Sequence, residues 1–375
     1  MTDTELAVVG AGLMGAATAW AATRRGRSVT VLEQYPFGHD RGSSHGSARI
    51  VRRAYPDPLY VRLTGRAMRL WRELEFDSGR TLVRLTGGLD HGLGRDPAGI
   101  AAVLRQARVL HELLPATEAE RRWPGMRFTG PVLFHPEAGT VDADAAVAAF
   151  LRTAAKRGAE LRPETAVVAL EPKEDRVVLR TAEGELTARR AVVAAGAWAA
   201  PLLGGLVELP RLTVTQQQVF HFPRHDPHAS PWPVTIHQDA LSVYSLPGGR
   251  DGGPHDARKI AEHDRGRPTT ARDRDGIVDP ASRERITRYV AEWLPGLDPR
   301  PFNEATCLYT TTPTEDFVLD RLGPLVVCSP CSGHGAKFAA LIGELATDLA
   351  TDAGRPEPRF TLAAHLGRAD DSLRS

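Results

Sequence analysis

Residues 5–35, ELAVVGAGLMGAATAWAATRRGRSVTVLEQY, place an apolar run, a glycine-rich turn, an alanine-rich helical stretch and a second apolar run in immediate succession. That order is a strand, helix, strand unit of the dinucleotide-binding kind. Gly10 permits the tight turn, Gly12 lets a pyrophosphate approach the backbone, and Gly15 lets the helix pack closely on the strand. Glu33 follows the second strand and is placed to accept from a ribose hydroxyl, while the helix start offers N–H groups to a pyrophosphate. NAD and FAD both fit these residues. NADP, with its phosphorylated ribose, suits Glu33 poorly.

A chain of 375 residues has enough apolar surface for two domains, or for one with a large insertion. Its 47 basic and 46 acidic residues give a formal charge of +1, so no nucleic-acid partner is expected. No apolar run reaches the roughly 18 residues of a membrane span. The closest, VVAAGAWAAPLLGGLV, is broken by Pro201 and glycines. The start carries two acidic residues and no basic n-region, so no secretory signal is read there. Three cysteines argue against a disulfide scaffold and suit a reducing compartment, and a cytoplasmic protein is expected.

Further along, His45, Arg49 and Arg52 stand at i, i+4 and i+7, the spacing of one helical face. Residues 57–79 read as an amphipathic helix and 96–114 as a second. A turn at Gly139 then leads into a helix starting near Asp142. An apolar strand ends at Gly196, where glycine permits approach to a ligand or close packing. From 211 to about 300 separated strands dominate, which implies a second, mostly antiparallel sheet domain inserted in the first. GGRDGGPHD, residues 248–256, reads as a mobile or surface loop.

In RKIAEH, strand alternation puts Lys259, Ala261 and His263 on one face and Ile260 and Glu262 on the other. Lys259 and His263 then either border a cofactor or guard a sheet edge. After residue 320 a strand, a glycine turn and a helix from Gly335 or Ala336 repeat the logic of the N-terminus and return the chain to the first sheet. Cys328 and Cys331 form a CxxC. With one further cysteine and no finger-type Cys/His pair, packing at a crowded turn outranks zinc or a disulfide. Cys307, taken by itself, is a small buried hydrophobe.

GAGLMG with Glu33, GSSHGSARIVR, YSLP, KIAEH, CLYTTTPTEDFVLD and SGHGAKFA occur in the order and approximate spacing of a known family. Through them the chain resembles the monomeric sarcosine oxidase and N-methyltryptophan oxidase family, FAD enzymes of the D-amino-acid-oxidase-like group. The resemblance implies an α/β fold, a Rossmann-like FAD-binding domain with an inserted antiparallel catalytic domain. The expected division assigns 1–85, 141–212 and 306–360 to FAD, 86–140 and 213–305 to substrate, and 361–375 to a flexible tail.

The resemblance also implies roles. Cys307 matches the cysteine that attaches FAD through a thioether, and Tyr309 an active-site aromatic. Lys259 matches the lysine of oxygen activation, and Arg49 a basic neighbour on that flavin side, away from the substrate. Arg52 and Lys337 match the pair that receives a substrate carboxylate. His45 and His263 match histidines near flavin and pocket, and Tyr244 a pocket tyrosine. Val167, Gly196, Gly333, Gly335 and Lys337 complete the expected cofactor contacts. Two departures stand out: the family's KxGYH is KIAEH here, and CSPC replaces a bulkier, cysteine-free turn.

The implied reaction is oxidation of a secondary amine bearing a carboxylate, N-methyl or cyclic, to an imine and hydrogen peroxide by a monomeric enzyme with oxygen as co-substrate. A dehydrogenase or oxidase of a biosynthetic cyclic imine or amine is the alternative within enzymes. A non-catalytic flavin-binding interaction protein is the alternative outside them.

Overall fold

The computed structural model describes residues 3–226, 228, 230–253, 257–263 and 265–372, with backbone only beyond 367. The two apolar runs of the opening unit form strands Thr4–Val9 and Val29–Leu32, paired in parallel. Helix Leu13–Arg24 between them is buried almost all round, as a helix with alanines on every face must be. It lies against helices Ala143–Lys156 and Ala339–Ala350. The approach to the second of these is backbone-close, since a Cβ at Gly343 would overlap the Ala17 carbonyl.

Strand Gly184–Val193 is the hub of the first, eight-stranded sheet. It pairs in parallel with Thr4–Val9, antiparallel with Val177–Thr181, and in parallel, through its last residues, with Leu325–Ser329. The C-terminal strand therefore does return to the first sheet. The carboxyl ends of three parallel strands stand side by side, the place where open α/β sheets bind ligands.

The second sheet has nine strands. Thr213–Pro223 pairs with Asn303–Thr311 and with Ala257–Glu262, and the sheet continues through Ser242–Pro247, Val234–Gln238, Gly88–His91, Val132–His135 and Glu112–Leu114. Among the described residues only the pairing of Val234–Gln238 with Gly88–His91 is parallel in this sheet. A third sheet joins Arg49–Val51, Gly139–Val141 and Val83–Leu85. The expected fold class is the one observed.

Several local expectations are corrected. His45, Arg49 and Arg52 share no helical face, because Gly46 at φ +96° breaks the chain and Arg49–Val51 is extended. Gly139 opens a strand instead of a turn, packed where a Cβ would overlap the Arg84 carbonyl. The helix expected over 96–114 stops at Gln106, Arg108 takes φ +56°, and Glu112–Leu114 is a strand. Ala257–Glu262 lies between two strands, which removes the edge-strand reading of Lys259.

In the 248–256 loop Gly249 and Arg250 are exposed, as expected of a surface loop, and Arg250 pairs with Asp142, whereas Asp251 and Gly252 turn inward. Residues 254–256 lie outside the described residues. The segment from 361, expected as a tail, carries helix Leu362–Ser372, with Leu362 and His365 buried and His365 Nε2 2.8 Å from the Phe317 carbonyl. Among the described residues no helix is long and apolar enough to cross a membrane.

Gly343→Val should lower stability by about 1–3 kcal/mol, the usual cost of overpacking. A reduced urea midpoint at unchanged slope is the expected readout. An unaltered midpoint would show that the two helices part easily.

Candidate functional site

A cavity of about 720 Å³ opens between the carboxyl ends of the parallel strands and the inner face of the second sheet. That is a size typical of small-molecule and cofactor sites. Gly10, Gly12, Glu33, Val167 and Gly196 line it from the first sheet's side. Arg49, Arg52, Tyr244, Lys259, His263, Cys307, Tyr309, Gly333, Gly335 and Lys337 also line it. Gly15 and His45 are not part of the lining.

The opening unit accounts for one end. Gly10 has φ +97°, a conformation open to glycine at little cost. A Cβ at Gly15 would overlap the Gly10 carbonyl, so Gly15 serves packing alone. Glu33 is buried and accepts from the backbone of Ala11 at 2.7 Å and of Tyr35 at 3.1 Å, with His39 Nε2 at 3.4 Å. Burial pushes its pKa up, but His39 and the two N–H groups outweigh that and hold it below the ordinary carboxylate value. An ionised acceptor thus stands beside the glycine turn. His45 Nε2 is buried with no hydrogen-bond partner. The turn and the carboxylate, both on the cavity wall, fit FAD.

Arg49 opens a three-residue strand and Arg52 directly follows it, and the pleat sends them to opposite sides. On the Arg49 side, Lys259 Nζ lies 3.1 Å from Asp251 Oδ2. Asp251 also accepts from the backbone N–H of Ser47 at 2.9 Å and from its hydroxyl, while Asn303 Nδ2 donates to the Asp251 carbonyl at 2.7 Å. Burial and Arg49 lower the Lys259 pKa, and the Asp251 carboxylate opposes them.

Cys307 is buried on strand Asn303–Thr311, opposite Gln217. Burial pushes its thiol pKa up, against the pull of Arg49 and Lys259. Tyr309, two residues on, has its ring centroid 5.9 Å from that of His263. A Cβ at Gly333 would stand 2.5 Å from the Tyr309 ring, so the SGHG turn presses directly on this wall.

On the other side Arg52 covers the Tyr55 ring at 4.2 Å, and Lys337 Nζ stands 5.7 Å from the same ring. Lys337 donates to the His334 carbonyl at 2.7 Å. Tyr55 hydroxyl and His334 Nδ1 are 3.1 Å apart. Asp90 is fully buried, with Arg95 Nε at 2.6 Å, His135 Nε2 at 3.6 Å and Arg52 at 4.0 Å. Burial alone would raise its pKa, but Arg95, His135 and Arg52 hold it well below the usual carboxylate range.

Asp251, Tyr55, Asp90, Arg95 and His334 escaped sequence reasoning. Asp251 and Arg95 stand in glycine-rich turns, where a charged residue ordinarily signals solvent. Tyr55 lies just past one quoted motif and His334 inside another, so both were within reach. Glu262, one departure from the family pattern, faces away from Lys259 as alternation requires: it accepts from Arg285 Nε and Nη2 at 2.8 Å each and from Ser282 Oγ at 2.9 Å. In CSPC the cysteines are free thiols, Cys331 Sγ accepts from Thr310 N at 3.4 Å, and no metal-binding cluster is found among the described residues.

The sequence profile of the family described as "FAD dependent oxidoreductase" matches residues 5–349. The chain is 36% identical to the monomeric sarcosine oxidase of Streptomyces avermitilis, over 92% of this chain and 93% of that protein. It is 31% identical to the N-methyl-L-tryptophan oxidase of Escherichia coli, over 93% and 95%. Its fold is similar to that of NikD, described as an unusual amino acid oxidase essential for nikkomycin biosynthesis, with TM-score 0.85, 27% identity and 96% of each chain covered. With a glycine turn, an ionised Glu33 and a cation-lined cavity already in place, the chain belongs to the FAD-dependent oxidoreductases related to sarcosine and N-methyltryptophan oxidases, enzymes of the amine and amino-acid oxidase class that oxidise a C–N bond to an imine with release of hydrogen peroxide.

Proposed function

We propose that the substrate is a secondary amine bearing a carboxylate, an N-methyl or cyclic amino acid, and that FAD is tethered through Cys307. The observation that carries this reading is the sorting of cations: Arg52 and Lys337 share one aromatic wall, while Arg49 and Lys259 stand with Cys307 on the other. The names of the relatives, sarcosine and N-methyl-L-tryptophan oxidases, support it.

FAD, when bound, accepts a hydride equivalent from the carbon next to nitrogen. Gly10, Gly12 and Glu33 would hold its dinucleotide, with Val167, Gly196, His45, Gly333 and Gly335 around it. Arg52 and Lys337 would fix the carboxylate, each contact strengthened by exclusion of water. Tyr55, Tyr244, His263 and Tyr309 would shape the remaining volume. Lys259 would present an ammonium to oxygen, and Asp251 keeps the proton on that buried nitrogen, since removing the carboxylate would leave burial and Arg49 unopposed. Residues 1–85, 141–212 and 306–360 would serve the cofactor and 86–140 and 213–305 the substrate, in a monomeric, cytoplasmic enzyme.

After acid precipitation the yellow colour should stay with the wild-type protein and leave with the supernatant for Cys307→Ala; colour lost from the wild type would end the tether. Peroxide release should be found with N-methyl or cyclic amino acids and not with D-amino acids alone. Arg52→Met should raise KM for such substrates by about ten- to a hundredfold, the loss of one charge-assisted hydrogen bond at about 1.5–3 kcal/mol. Asp251→Asn should lower the pKa of Lys259, followed by NMR of isotope-labelled lysine. An unshifted titration would deny Asp251 its role.

A further inference from the structure

Only four of the 47 basic residues are lysines: Lys156, Lys173, Lys259 and Lys337. Lys156 and Lys173 are exposed, and the other two line the cavity. Arginine cannot be deprotonated in a protein, whereas a buried lysine gives up its proton readily. In a chain that otherwise uses arginine for its cations, a buried lysine marks a place where that difference matters.

The two cavity lysines sit in opposite surroundings. Lys259 has a carboxylate at 3.1 Å. Lys337 has the His334 carbonyl at 2.7 Å, and among the described residues no carboxylate lies within ion-pair distance of it. Arg52 and Arg95 face it with two fixed positive charges. Asp90, the anion of this cluster, is engaged by Arg95 at 2.6 Å. The His334 ring is occupied at both nitrogens, by Tyr55 and by the Glu315 carbonyl at 3.1 Å each, and the Glu315 carboxylate lies 3.7 Å from His263. Lys337 also precedes helix Ala339–Ala350, whose positive end disfavours a cation. Burial and the two guanidinium groups together lower its pKa well below the ordinary value.

We propose that Lys337 is an uncharged amine in the free site and is the base that takes the ammonium proton of the incoming amino acid. This rests on the carboxylate reading above. One N–H bond of the substrate ammonium breaks and one N–H bond forms at Lys337 Nζ, directly or through one water. No electrons are transferred in this step. The substrate nitrogen is left with the lone pair that oxidation of the neighbouring C–H requires, and the new Lys337 ammonium pairs with the substrate carboxylate. An arginine would bind the carboxylate equally well and leave the amine protonated.

A carboxylate without an ammonium group has no proton to give, so its binding must draw one from solvent. Acetate binding to the holoenzyme, followed by calorimetry in buffers of different ionisation enthalpy, should take up about one proton per site near pH 8. Lys337→Arg and Lys337→Met should take up none. Acetate binding to the wild type without proton uptake would show that Lys337 is already charged and overturn the inference while leaving the carboxylate site intact. Uptake that persists in Lys337→Arg would assign the proton to another group and overturn it equally. Acetate that neither binds nor competes with substrate would overturn the carboxylate reading itself.

Discussion

The cavity depends on one constraint, the parallel pairing of Gly184–Val193 with Thr4–Val9 on one edge and Leu325–Ser329 on the other. Parallel strands end on the same side of their sheet, so Gly10, Gly196 and the SGHG turn arrive together although they are far apart in sequence. Each end continues into a turn or helix that leaves the sheet, which opens space in front of it. The second sheet closes that space from the other side with the strands carrying Lys259 and Cys307. Neither sheet alone encloses a site.

Within this frame the charges are divided. Two cations, Arg49 and Lys259, lie near Cys307 and two arginines, Arg52 and Arg95, stand with Lys337 near Tyr55, and each group holds one buried or half-buried carboxylate, Asp251 or Asp90. Each cluster therefore keeps an excess of positive charge in a region that water enters poorly, which suits an electron-rich cofactor and an anionic substrate. The carboxylates are fixed by hydrogen bonds from their own side of the site, so they hold position whether or not a ligand is present.

Much of this was legible in the sequence because it follows from local rules. The strand, helix, strand unit with Glu33 declares itself by periodicity and glycine spacing, and alternation in RKIAEH correctly turned Glu262 away from Lys259. The helical reading of His45, Arg49 and Arg52 failed because spacing alone cannot weigh the two glycines and three serines of residues 42–47 against it; a strand pleat separates the arginines instead. Asp251 and Arg95 were illegible for a different reason. Asp251 meets Lys259 only eight residues on and Arg95 meets Asp90 five residues back, but what makes those contacts count is burial, and a turn-bound charge looks the same whether it meets solvent or a buried partner. Only the tertiary fold distinguishes the two.

The carboxylate that holds Lys259 comes from the tip of a hairpin, between strands Ser242–Pro247 and Ala257–Glu262. Hairpin tips are the segments in which chains most readily gain and lose residues. Here such a change would alter neither strand and yet would add or remove a charge beside a cavity lysine. The chemistry of the oxygen side is thereby open to revision by insertion and deletion, without any substitution in the framework that builds it.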